Sequence, residues 1–279
     1  MLIDTHAHLD FPEFAADLTE LIGRARDAGV ERIITIGTSI EGSRRALELA
    51  NRFPNVFATI GVHPNEAVEA GNDVVGSLRE LAHNPRVVAI GEIGLDYHRL
   101  PQGNADIAWE LAGDQGSISA GLQMGAVKAA QATIFEEQLD LAIELGLNVV
   151  IHERDAWSDT IETLAPYAGK LRAVFHCFGK NIDQAEEVIA QGHLISFTGI
   201  VTFKNASVVQ ETAARVAANA FMLETDCPFL APVPFRGKRC EPAHTRITAE
   251  KIAQLRNVPL EVISAQTTGT ANRFFRFAR

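Results

Sequence analysis

Short runs of β-branched and apolar residues alternate with longer stretches of helical periodicity along the chain. The apolar runs fall at 2–6, 32–37, 56–62, 87–92, 148–152, 173–177, 194–198 and 221–226. Most hold too few polar positions for a sheet with one wet face, so they predict strands buried on both faces, as in a parallel sheet. Between them, residues 13–28 place Phe14, Leu18, Leu21, Ile22 and Ala25 at three- and four-residue spacing, the stripe of an amphipathic helix. The stretches 41–52, 74–82, 135–145, 182–190 and 207–217 read the same way. Gly29, Gly146, Gly169 and Gly192 follow helical stretches, where a left-handed cap favours glycine. Strand and helix in repeated alternation predict an α/β chain closed into a (β/α)8 TIM barrel. An open doubly wound sheet is the alternative; it is weakened because no Gly-x-Gly-x-x-Gly follows the first strand.

One stretch breaks the rhythm. Residues 100–130 are rich in Gly, Ala, Gln and Ser and read as an insertion between the fourth strand and its helix: a lid, an oligomer contact or a plain loop. The segment 260–277 is a last amphipathic helix whose Val262, Ile263, Phe274, Phe275 and Phe277 are expected to pack outside the barrel. A length of 279 residues then means one barrel domain, 1–279, plus that insertion.

In such a barrel, function sits at the C-terminal ends of the strands. The first run ends in His6-Ala7-His8, the third in Gly61-Val62-His63, the fourth in Gly91-Glu92, the fifth in Ile151-His152, the sixth in Phe175-His176 and the eighth in Glu224-Thr225-Asp226. Six of eight runs thus finish on or beside His, Glu or Asp, which is more than nine scattered histidines would do by chance. His6 and His8 are two apart, so in a strand their side chains share a face. Alone they are a weak signal. With Glu92, His152, His176 and Asp226 on the same rim they form a mixed nitrogen and oxygen donor set, which suits Zn, Mn, Fe, Co or Ni better than Ca. Six donors suffice for two ions that clamp attacking and leaving oxygens.

The loop after the eighth run holds Arg236, Lys238 and Arg239 within four positions. It reads either as a solvated basic turn or as an anion site, with Arg236 and Arg239 bidentate to phosphate and Lys238 a point charge. His63 is on the same rim and is expected to face substrate. His83, His98, His193 and His244 have no such place and read as surface or capping residues. Cys177 and Cys227 follow rim residues directly, so they point to the opposite face and read as small buried residues; Cys240 has no partner at zinc spacing.

Charge and composition narrow the reading. The formal net charge is -10, which argues against coating nucleic acid by bulk electrostatics but not against a local cleft charged by metal. Three cysteines make no disulfide framework, the N-terminus has no basic, apolar leader, and no apolar run reaches ~18 residues. A cytoplasmic protein without membrane contact is expected.

The motifs Asp4-Thr5-His6-Ala7-His8-Leu9-Asp10, Gly61-Val62-His63-Pro64, Gly91-Glu92-Ile93-Gly94-Leu95-Asp96-Tyr97, Ile151-His152-Glu153-Arg154-Asp155-Ala156, His176-Cys177-Phe178, Glu224-Thr225-Asp226-Cys227-Pro228 and Pro234-Phe235-Arg236-Gly237-Lys238-Arg239-Cys240-Glu241-Pro242 occur in that order over nearly the whole chain. In them the sequence resembles the TatD-like metal-dependent hydrolases. The resemblance implies a TIM barrel with a two-metal centre of Zn, Mn or Mg. Its ligands would be His6, His8, Glu92, His152, His176 and Asp226, with Glu92 bridging. It also implies deoxyribonuclease activity, commonly exonucleolytic, although some members look like deacylases. On that reading Asp226 and Glu92 are the catalytic carboxylates, His63, Arg236, Lys238 and Arg239 hold phosphate, and DNA or another phosphodiester is a transient partner. A deacylase acting on an amide or ester, acyl-tRNA ends included, is the alternative, and a non-catalytic scaffold is disfavoured because every ligand position is filled. The 100–130 insertion departs from the family pattern and bears on substrate size.

Overall fold

The computed structural model describes residues 1–71, 73–100 and 120–277. Eight strands pair in parallel in chain order: β1 (Leu2–Ala7), β2 (Val30–Ile36), β3 (Val56–Ile60), β4 (Val87–Asp96), β5 (Asn148–Arg154), β6 (Ala173–Phe175), β7 (Leu194–Phe197) and β8 (Phe221–Leu223). Helices α1 (Leu18–Asp27), α2 (Ile40–Arg52), α3 (Val74–Leu81), α4 (Ala120–Leu145), α5 (Trp157–Leu164), α6 (Ile182–Ala190), α7 (Ser207–Arg215), α8 (Thr245–Arg256) and α9 (Leu260–Phe275) cover the strands. This is the (β/α)8 TIM barrel that the alternation of runs predicts. Gly29, Gly146, Gly169 and Gly192 all take positive φ, as chain reversals after a helix require.

Several boundaries differ from the sequence expectation for identifiable reasons. The 13–28 stretch breaks into a 3-10 turn at Pro12–Phe14 and helix α1, because Asp17 leaves the helical region and its carboxylate pairs with Arg24. Helices α5 and α8 lie outside the stretches that read as helical: α5 spans only eight residues, and α8 carries a weak apolar stripe. The insertion expected at 100–130 lies, from 101 to 119, outside the described residues. From Ala120 onward the chain is already helix α4, where alanine at Ala120, Ala126, Ala129, Ala130 and Ala132 favours helix over loop.

The seam between β8 and β1 closes with little ladder. One bridge joins Ala7 to Cys227, and the Asp226 and His8 N–H groups donate to the His6 and Cys227 carbonyls, both at 2.8 Å. The Thr5 hydroxyl donates across the seam to the Leu223 carbonyl at 3.0 Å, and the buried Asp4 carboxylate adds further bonds. It accepts from the Thr225 hydroxyl at 2.6 Å, the Thr225 N–H at 3.0 Å and the His6 N–H at 3.3 Å. Burial pushes Asp4 up to about 8 against those hydrogen bonds. Rim residues His6 and Asp226 are thereby fixed to one carboxylate that lies a layer below them.

At the other end of the barrel His193 is fully buried rather than on the surface. Its Nδ1 accepts from the Ala173 N–H at 3.2 Å, and burial, helped by the Arg172 charge, pulls it down to about 4. Between pH 6.5 and 4 the unfolded chain therefore binds a proton at this position that the folded chain refuses, so stability falls as pH falls through that window. Urea melts should show up to about 3 kcal/mol lost there, and His193→Asn, which keeps an acceptor but cannot ionise, should flatten the slope. An unchanged slope would assign the acid sensitivity elsewhere.

Candidate metal centre

The strand ends deliver their side chains to one point at the C-terminal mouth. Glu92 is its hub. It sits on β4 where the pairing with β5 slips between Ile90 and Ile93, an irregularity that aims the carboxylate inward. Gly91 and Gly94, with φ of +151° and +138°, permit that path; a Cβ on Gly94 would collide with the His152 carbonyl and one on Gly91 would come within 2.7 Å of Val150. Glu92 Oε1 lies 2.7 Å from both His152 Nδ1 and His176 Nε2 and 3.6 Å from His63 Nε2. Its Oε2 lies 3.4 Å from His6 Nε2. On the opposite side, Asp226 Oδ1 is 3.2 Å from His8 Nε2 and 3.7 Å from His6 Nε2. The structure thus brings together all six residues named as ligands from the sequence.

Charge in this cluster is shared among too few protons. Burial alone would raise Glu92, yet the neighbouring His176, His63, His6 and His152 hold its carboxyl well below the ordinary range. Asp226 is held down in the same way by His8, His6 and His176, against burial. His176 is pushed up to about 10: burial opposes protonation, but Glu92, Glu224 and Asp226 outweigh it. His6, stacked on His176 with ring centroids 4.1 Å apart, is pulled down by burial and by that same neighbour. The result is ionised carboxylates facing imidazoles that cannot all protonate.

That donor set fits divalent cations. Among the described residues, both buried ring nitrogens of His6 find no hydrogen-bond partner, nor do His8 Nδ1 and His176 Nδ1; an orphaned buried nitrogen is costly unless something else satisfies it. Three groups of donor atoms lie close enough to share an ion: His6 with His8 and Glu92, His63 with Glu92 and His152, and His6 with His176 and Glu224. None of the cysteines belongs to these groups among the described residues; Cys227 and Cys240 are buried, and Cys177 is half-buried with its N–H on Glu224.

Two carboxylates escaped sequence reasoning. Glu224 accepts from the Ser196 hydroxyl at 2.7 Å and the Cys177 N–H at 2.6 Å, and its Oε1 is 3.8 Å from His176 Nδ1. Asp96 Oδ2 is 3.2 Å from His152 Nε2, and that hydrogen bond with the Arg99 and His98 N–H groups holds Asp96 below the ordinary range despite burial. Both lie in quoted motifs, two residues before Asp226 and four after Glu92. Period two would have placed each on the same face as its neighbour.

His63 joins the cluster but in a distinct state. Its Nδ1 accepts from the Asn65 N–H at 3.0 Å, and burial pulls it down to about 3, so the ring is neutral and carries its proton on Nε2. His63 therefore presents a donor to the mouth of the site. In the loop after β8, Arg236 and Lys238 are exposed and form no ion pair among the described residues. Arg236 lies over the Phe203 ring at 4.4 Å. Arg239 differs from the expectation: its guanidinium is bidentate to Asp17 at 2.7 and 2.8 Å and also donates to the Glu13 carbonyl, because α1 brings an acid beneath the loop. His98 meets Asp155 at 2.8 Å, while His244 caps the turn at Pro242–His244.

A TIM barrel whose mouth gathers imidazoles and ionised carboxylates has the architecture of a metal-dependent hydrolase. The sequence model described as "TatD related DNase" matches residues 3–276, and the chain belongs to that family. It is 36% identical to an uncharacterized metal-dependent hydrolase, YabD, of Bacillus subtilis, with 99% of each chain covered. With a protein of Erwinia tasmaniensis named 3'-5' ssDNA/RNA exonuclease TatD it shares 34% identity, over 98% of this chain and 99% of that one. Among solved structures, the TatD homologue YJJV of Escherichia coli superposes with a TM-score of 0.82 at 28% identity, covering 99% of this chain and 98% of the other.

Proposed function

We propose that the chain is a nuclease that hydrolyses phosphodiester bonds of DNA, in the manner of an exonuclease, with two divalent ions (Zn, Mn or Mg). The observation that carries this is one rim on which the Glu92 cluster stands beside a loop whose Arg236 and Lys238 have no acidic partner among the described residues. His6, His8, Glu92, His152, His176 and Asp226 would hold the ions, and Glu224 and Asp96 would buttress His176 and His152. Bound there, the ions supply an acidified water and positive charge for phosphoryl oxygens.

The chain's own groups do the rest. Asp226 is ionised, turned to the mouth and steadied by His8, so it accepts the proton of the attacking water. The water oxygen bonds to phosphorus as the bond to the leaving oxygen breaks, and that oxygen takes a proton from solvent. His63 donates through Nε2–H to a phosphoryl oxygen, and Arg236 and Lys238 hold the phosphate from the loop. Arg239, engaged with Asp17, anchors the loop to α1 so that the other two cations stay over the rim. Deacylation of an amide or ester that carries no phosphate would have no use for this cationic loop. Among the described residues no helix is long and apolar enough to cross a membrane. With three free cysteines the chain belongs, on this reading, in the cytoplasm.

Incubation of metal-replete protein with single- and double-stranded DNA oligonucleotides tests the reading: progressive release of nucleotides is expected, and no release in any of the three metals overturns it. Arg236→Ala and Lys238→Ala should each raise KM for an oligonucleotide about tenfold, the worth of one charged hydrogen bond, with kcat nearly unchanged. KM values equal to wild type would remove the loop from phosphate binding.

A further inference from the structure

Phe229 is 49% exposed, three residues after Asp226 and on the rim of the cluster. Its position is not slack. The Phe229 N–H donates to the Asp226 carbonyl at 3.0 Å, and its ring meets Phe11 edge to face, centroids 5.9 Å apart at 83°. Phe11 in turn lies against the His8 ring at 4.9 Å, which leaves Phe229 only 6.3 Å, ring to ring, from His8. An aromatic wall is therefore built onto the donor cluster itself, with one part of its surface left to solvent. Seven and nine residues further along the same loop stand Arg236 and Lys238. A partly open aromatic face on a loop that also carries two cations complements one ligand chemistry well: a nucleotide, whose base has a π-face and whose phosphate is anionic.

We propose that Phe229, backed by Phe11, is a stacking platform for an unpaired nucleobase adjoining the phosphate that is cut. The inference rests on the nuclease reading and deepens it by assigning the residue that holds the base beside the phosphate. In a duplex an internal base has both faces covered and a terminal base is held flat against its neighbour, so a frayed or single-stranded end lays a base on Phe229 most freely. Stacking tolerates any base, so the platform selects for single-strandedness and not for sequence. Phe11 is a positioning residue, since it packs against both the His8 and the Phe229 rings.

The test compares wild type, Phe229→Leu and Phe229→Trp on fluorescent single-stranded oligonucleotides that carry, at one end or the other, either a normal or an abasic terminal nucleotide. Phosphates are the same in all. Binding is read by anisotropy and cleavage by nucleotide release. Phe229→Leu is expected to weaken binding of the normal strand about 5- to 100-fold and Phe229→Trp to preserve it. The abasic strand, at the end that enters the site, should bind wild type as weakly as it binds Phe229→Leu. Equal losses on normal and abasic strands, or none on either, overturn the platform. Base-dependent binding without cleavage by wild type would instead refute the nuclease reading and leave the platform standing. Thermal melting controls for folding of the variants.

Discussion

Replacing Glu92 by glutamine should cost at least about 1,000-fold in kcat/KM, or ~4 kcal/mol of transition-state stabilisation. Glutamine keeps the volume and one carbonyl oxygen but loses the negative charge and turns an amide donor toward the cluster. At this position the loss cannot be absorbed: Glu92 is 3% exposed, one oxygen is shared by His152 and His176, and the other faces His6. Whichever way the amide flips, an acceptor for buried imidazoles or for an ion is removed, and no solvent replaces it. The check is kinetic and compositional together. Bound metal per chain, measured by elemental analysis, should fall in parallel with activity. Activity lost with full metal content would assign Glu92 a role in chemistry alone, and retained activity would remove it from the centre.

Stripping divalent ions with a chelator is expected to lower the melting temperature by about 10 °C, reversibly. An ion at ~1,000 times its dissociation constant contributes about 4 kcal/mol of linkage, and for a chain of this size each kcal/mol moves the midpoint by about 2–4 °C. The molecular origin is the crowding of donors: His6 has no hydrogen-bond partner for either nitrogen, and ionised Glu92 and Asp226 lie in a buried mouth. The chelated protein should also become pH-sensitive. His176, held up to about 10, stabilises fully below its unfolded value near 6.5, and that contribution is lost as pH rises toward 10. Glu92 and Asp226, held down, act in the opposite sense and are lost on acidification. Scanning calorimetry with and without chelator, from pH 6 to 10, measures the effect of the ions and that of His176; the carboxylate loss begins only below the ordinary Glu value of 4.5. An unchanged midpoint at every pH would mean that the cluster is satisfied without ions.

The barrel was legible in the sequence because buried parallel strands must be apolar throughout, and because each helix must show a stripe to the sheet it covers. Helix α6 appears with the bounds its periodicity gives, since Ile182, Ala185 and Val188 repeat cleanly and Asn181 caps the Gln184 N–H. Helix α1 is shorter than its stripe because the non-helical backbone at Asp17, invisible to periodicity, makes it start late. His193 was misplaced for a similar reason: its place in the chain marks the end of the barrel, but only packing against Phe175, 6.5 Å away ring to ring, and the Ala173 N–H make it a buried acceptor.

For the site, what the sequence by itself determined was the cast. Strand order and period two put His6, His8, Glu92, His152, His176 and Asp226 on one rim, since residues at strand ends share a layer in a closed barrel. The tertiary structure alone decided distances and spare valences, because these depend on how separate strands are staggered against each other. It put Glu92 between two imidazoles, drew Glu224 and Asp96 into the cluster, and fixed the proton of His63 on Nε2 through a turn of its own. It also gave Arg239 to Asp17, an acid 222 residues away in the chain, while leaving Arg236 and Lys238 without an ion pair among the described residues and Phe229 half open to solvent. A charge run in a sequence shows how many cations a loop holds; only the folded neighbours show which of them remain available for a ligand.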